Sequence, residues 1–171
     1  MDWYVIVLRV IHIAAGVFWV GAAFVLFLFI QPSVRATGPA GQEFMGHLTS
    51  RKNLPLVVLL SGVVTVLAGL LLYWRASGGF DTAWISSGPG ISFTVGGVAA
   101  IVTLALGLAV TKPSIDRMGA LGQEIASGGG PPTPEQAAEL QRLQARTVLV
   151  GRVSLVLLAV AVVAMAIARY L

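Results

Sequence analysis

The chain has no cysteine, and of its 171 residues only 11% are charged and two are histidine. Without cysteine there are no disulfides, thiolate metal sites or cysteine nucleophiles. Its seven Asp and Glu residues all fall outside the long apolar runs, so no intramembrane carboxylate is available for the relay of a proton-coupled pump. No HExxH, Walker-type phosphate loop or Ser/His/Asp set occurs. Copper(I) favours Cys and Met, and here Met45, Met118 and Met165 are scattered along a chain that lacks thiols.

Apolar residues are abundant instead, at 57%. Soluble domains hold about 45–50% apolar and about 25% charged residues, so this balance points to lipid as the solvent for much of the surface. The net charge is +4, but the basic residues flank apolar runs and form no patch interleaved with aromatics. Nucleic acid is therefore not an expected partner. Four runs, 3–30, 54–74, 91–111 and 147–170, are each about 20 residues or longer, enough to cross a hydrocarbon core of about 30 Å. Backbone groups in lipid must be bonded internally, so each run is expected to be a helix. The expected fold is all-α, a transmembrane four-helix bundle in one integral membrane domain spanning 1–171. The first run lacks a basic flank and a small-residue cleavage site, so it reads as a retained span.

Basic residues set the expected orientation. Arg35, Arg51 and Lys52 follow the first run, and Lys112, Arg117, Arg142 and Arg146 lie between the third and fourth. Positive charge stays cytoplasmic, which puts both termini outside, in a multi-pass protein of the inner (plasma) membrane. Trp3, Tyr4, Tyr73, Trp74, Trp84 and Tyr170 then fall at the outer interface. Of the connections, 42–51 reads equally as a short interfacial helix or a loose loop. The Gly/Pro cluster at 128–132 marks a break. Thr133, Pro134 and Gln136 form a capped helix start, from which the fourth helix is expected to run unbroken to about 170 as a cytoplasmic extension. Glu139 and Arg142 are spaced to pair on it. Arg152, about one turn inside that span, is placed to snorkel or to anchor an anionic lipid or ligand.

Small residues form stripes at steps of three and four: Ser92, Gly96, Ala100, Thr103, Gly107 and Thr111 on the third helix, and Ser61, Thr65 and Gly69 on the second. Such stripes let helices approach closely. They equally suit a gap holding a flat ligand, or a seam joining two protomers into a homo-oligomer. Gly16 and Gly21 on the first helix admit the same readings.

The first run, LRVIHIAAGVFWVG from Leu8 to Gly21, keeps two ionisable residues. With Trp3 at the interface, Arg9 lies about 9 Å deep and His12 about 14 Å deep, sharing a face with Gly16. Ionisable residues at this depth are functional candidates. A neutral imidazole in an apolar bundle suits haem iron, with Arg9 placed for a propionate. His47 belongs to a loop some 25–30 Å away along the axis and cannot share that iron. Met165 lies at comparable depth on the fourth helix as a candidate second ligand; an open position, or a histidine that merely packs, are the alternatives.

The segment LRVIHIAAGVFWVGAAFVLFLFIQPSV resembles the first helix of the copper resistance D-like (CopD-like) membrane proteins and, more distantly, of the HemJ-type protoporphyrinogen oxidases. The ending VVAMAIARYL is similar to the uncharacterised relatives of the former. The resemblance implies a small helical membrane bundle and, from the HemJ-type proteins, a haem-ligand role for His12. Those proteins carry a lysine just after a tryptophan near the third helix, whereas here Trp84 is followed by Ile85 and the next lysine is Lys112. Together these readings point to a membrane protein binding b-type haem at His12, with Arg9, Gly16 and Met165 around it. It would serve electron transfer or a haem-linked oxidoreductase step, with a quinone or redox partner in the bilayer. The alternative is a non-enzymatic membrane protein: a partner subunit, a scaffold or a small-solute or metal permease.

Overall fold

Four helices carry the four apolar runs in the computed structural model, which describes residues 2–171. In chain order the helices are α1 (Trp3–Ala36), α2 (Pro39–Gly46), α3 (Leu54–Ala76), α4 (Thr82–Ile85), α5 (Gly88–Ser127) and α6 (Pro134–Tyr170). No strand occurs among the described residues. α1, α3, α5 and α6 are each long and apolar enough to span a bilayer, and most of their large apolar side chains face outward. In water that surface would drive aggregation; in lipid it is the normal exterior. The chain is a multi-pass integral membrane protein.

The bundle is built as two hairpins. α1 packs along α3, and α5 packs along α6; fewer contacts join α3 to α5 and α1 to α6. Both chain ends and the 77–87 connection lie at one end of the bundle, here the terminal end. Connections 37–53 and 128–133 lie at the other, the loop end. At the terminal end Arg75 pairs with Asp2 at 3.3 Å. There Tyr73 meets Trp84 edge-on at 5.3 Å, and its hydroxyl shares a 2.6 Å hydrogen bond with Thr94 Oγ1.

The small-residue stripes form the seams within each hairpin. On α5, Ser92, Gly96, Ala100 and Thr103 are buried, and Ser92 Oγ donates to the Ala164 carbonyl of α6 at 2.7 Å. On α3, Gly62, Thr65 and Ala68 are buried. The expected gaps are not left open: Met165 packs on Gly96 of α5, and rings fill the notches on α3. Trp19, 6% exposed, lies against Gly62, so that a Cβ built there would stand 2.8 Å from Trp19 Cε2. His12 lies on Gly69 in the same way, and Phe27 of α1 covers Gly151 of α6. Gly21 has nothing near it and takes no part in a seam.

α5 differs from expectation. The third span was expected to end near Thr111, yet the helix continues through Pro113 to Ser127. Pro113 has no N–H for the fourth carbonyl back and its ring crowds that carbonyl. The helix absorbs this by widening to a π turn over Gly107–Thr111, and Ser114 Oγ donates to the Val110 carbonyl at 2.7 Å. α1 has the same device: a π turn over Leu26–Ile30, then Pro32, with Ser33 Oγ donating to the Phe29 carbonyl at 2.7 Å.

These two places belong to an internal repeat. Pro32-Ser33-Val34, Gly38, Gly41, Gln42 and Glu43 recur, at one constant offset, as Pro113-Ser114-Ile115, Gly119, Gly122, Gln123 and Glu124. α1 and α5 run in the same direction, and each pairs with the next long helix, α3 and α6, so the second hairpin repeats the first in chain direction as well as in these letters. The copies diverge after the shared start. Gly38, at φ +58°, turns the first chain and Pro39 begins α2, which is helical where a loose loop was the alternative. The second copy has no such break and stays in α5.

α6 starts as expected: Thr133 and Gln136 form a reciprocal capping box, and the helix runs unbroken past the apolar region. Its first turns, outside the apolar window, pair differently from expectation. Glu139 binds Arg117 of α5 at 2.8 Å and 3.1 Å, and Arg117 also reaches Glu124 at 3.0 Å. The two-pronged guanidinium contact wins over the single neighbour Arg142. Hydrogen bonding from Arg117 holds the Glu139 carboxyl below the usual carboxylate range. The folded value lies below the free one, so this clasp operates at neutral pH and is lost as pH falls through that lowered range. Arg117→Ala is expected to speed amide exchange over 116–127 a few-fold, after correction for intrinsic rates. Acidification of the parent protein should do the same; equal protection in both would refute the clasp.

Candidate functional site

His12 sits a little over two turns into α1, half-buried on the seam with α3. The seam's register places it. Gly16 meets Thr65 and Trp19 covers Gly62, so each step down α1 is matched by an equal step back along α3, and His12 arrives at Gly69. Only glycine admits the ring there: a Cβ at that position would stand 2.9 Å from His12 Cε1. Lowered onto the α3 backbone, the ring donates its Nδ1–H to the Thr65 carbonyl at 2.8 Å.

This bond fixes the chemistry of the ring. With Nδ1 donating, the neutral imidazole carries its lone pair on Nε2. Among the described residues Nε2 has no hydrogen-bond partner, and no buried side-chain nitrogen or oxygen is left unpaired. Nε2 therefore lies at an accessible ring edge. An imidazole whose Nδ1–H is held by a backbone carbonyl while Nε2 stands free is the arrangement that orients histidine ligands in metal proteins.

The other sequence candidates are placed as follows. Arg9 lies one turn nearer the terminal end, is exposed, and has no ion pair among the described residues. Gly16 lets α1 approach α3, with a built Cβ 3.4 Å from Thr65 Cγ2. Met165 belongs to the other hairpin, where its side chain packs on Gly96. His47 is exposed in the 37–53 connection. The structure thus joins His12, Arg9 and Gly16 on one helix and puts Met165 on a different seam.

Family models, curated proteins and solved structures offer no match to this chain. No three His, Asp or Glu side chains come together among the described residues, so a chelate of several protein donors around a bare cation has no basis here. Two parts of the site gave no earlier signal. The Thr65 carbonyl is a backbone acceptor, which any residue type supplies. Gly69 was visible as a small residue but not as the seat of a ring. The repeat adds a further point, because the position matching His12 in the second hairpin is Phe93, which stacks on Trp84 with ring centroids 6.3 Å apart. Each chain therefore carries a single imidazole of this kind.

Proposed function

We propose that this integral membrane protein binds b-type haem through His12 and serves electron transfer or a haem-linked redox step. The observation that carries this reading is the bond from Nδ1–H to the Thr65 carbonyl, which leaves the Nε2 lone pair free at the seam. The resemblance of the first helix to CopD-like and HemJ-type proteins supports it. Under this reading His12 would hold the iron as the one protein ligand, and Arg9, one turn nearer the terminal end, would meet a propionate. Met165, packed on Gly96, would have to leave its seam to contribute. When bound, the haem supplies one-electron chemistry, with its potential tuned by ligand and burial. Under this reading the termini face outward, the membrane is the plasma membrane, and a quinone or membrane redox partner exchanges the electron.

A second reading is favoured by one observation: His12 lies on Gly69 just as Trp19 lies on Gly62, as a ring filling a glycine notch. His12 is then a packing residue in a non-enzymatic membrane protein. An absorption spectrum of protein purified from haem-replete cells, oxidised and reduced, decides between them. A Soret band is expected; a colourless protein would select the packing reading.

A further inference from the structure

Independently of His12, we infer that the loop end carries a binding groove for one anionic phospholipid between α1 and α6. A cleft of about 560 Å³ opens there, lined by Phe27, Gln31 and Arg35 of α1 and by Val148, Arg152 and Leu155 of α6. Its floor is apolar and its polar groups are two guanidiniums and one carboxamide. Neither arginine has a carboxylate within 4.0 Å among the described residues. Arg152 is level with Phe27, which covers Gly151, and Arg35 lies eight residues beyond it, about 12 Å along the axis. One cation thus stands inside the apolar span and the other at its rim. A phosphate seated between them would leave its acyl chain beside Phe27 and Leu155. Basic pockets between helices on the cytoplasmic side of a membrane, where the basic-residue rule puts the loop end, hold anionic headgroups in this manner.

The internal repeat supplies the second observation. Gln31 and Arg35 correspond to Lys112 and Asp116 in the other copy, which close on each other at 2.6 Å. That copy neutralises its own cation. The first copy has arginine where the second has aspartate, faces Arg152 across the cleft, and holds no carboxylate there among the described residues, so the counter-charge comes from outside. The apolar floor selects an anion that brings a hydrocarbon tail.

The test uses delipidated full-length protein in neutral detergent, with bound lipid counted by native mass spectrometry. Phosphatidylglycerol, phosphatidylcholine of matched chains and inorganic phosphate are the probes. One phosphatidylglycerol per chain is expected to bind first, about tenfold more tightly than phosphatidylcholine, with inorganic phosphate unable to displace it. Arg152→Gln should weaken phosphatidylglycerol about fivefold or more. The pair Gln31→Lys with Arg35→Asp, which copies the self-neutralised arrangement of the second repeat, should abolish the preference without lowering the melting temperature. Arg51→Gln, outside the groove, should change nothing. Equal binding of the two lipids, displacement by inorganic phosphate alone, or variants that keep the preference would each overturn the assignment.

Discussion

Gly62→Ala is expected to destabilise the bundle by about 1–3 kcal/mol, although it adds one methyl group. In most helices this substitution stabilises, because alanine is the better helix former. Here the methyl would meet Trp19 Cε2 at 2.8 Å, and the indole is 6% exposed, with no room to retreat. Trp19 also belongs to the shared core with Ala23, Ala99, Ala100, Leu158 and Ala161, so displacing it disturbs contacts between the hairpins. Gly21→Ala and Gly97→Ala meet nothing within 4 Å and should be neutral or slightly stabilising. Trp19→Leu, combined with Gly62→Ala, should recover part of the loss. Unfolding in a graded detergent series reads all four variants. Equal stability of Gly62→Ala and Gly21→Ala would show that the ring does not occupy the notch.

His12→Phe separates colour from folding. Phenylalanine can occupy the notch over Gly69 but can neither donate to the Thr65 carbonyl nor offer a nitrogen lone pair. An interhelical hydrogen bond in a membrane contributes about 0.6 kcal/mol on average, so stability should fall only slightly. The Soret band, in contrast, should disappear. His12→Ala should lose the band as well and additionally leave the notch empty, so its stability should fall further. Arg9→Gln should keep the band and weaken haem retention, because under the proposed function only a propionate contact would be removed. A band that persists in His12→Phe would place the iron elsewhere and sink the proposed ligand.

Much of the fold could be read before any coordinates. Apolar length predicts the four spans, because a bilayer demands helices of that length. Small residues at steps of three and four marked the surfaces that became seams on α3 and α5. The Thr133–Gln136 cap and the break at 128–132 follow from side-chain chemistry local to them. The continuation of α5 was missed because apolar content reports immersion, not helicity: beyond Thr111 the residues turn polar while the helix persists. The widened turn before Pro113 is a solution that no single residue announces. The repeat was present in the letters but emerges only when the chain is compared with itself. At the candidate site, His12 and Arg9 stood out by charge in an apolar run. What orients His12 is a main-chain oxygen delivered by the register of two helices, and register depends on all the notches together.

Those notches have a mechanical consequence. With Trp19 and His12 keyed into the α3 backbone, α1 cannot slide along its partner without lifting both rings over a ridge. Sliding is the shear motion by which packed helices usually adjust. Within the first hairpin that route is blocked, so the hairpin moves as one body. Phe27, seated on Gly151 of α6, sets one more such key between the hairpins, so a shift of one hairpin against the other has to unseat that ring first.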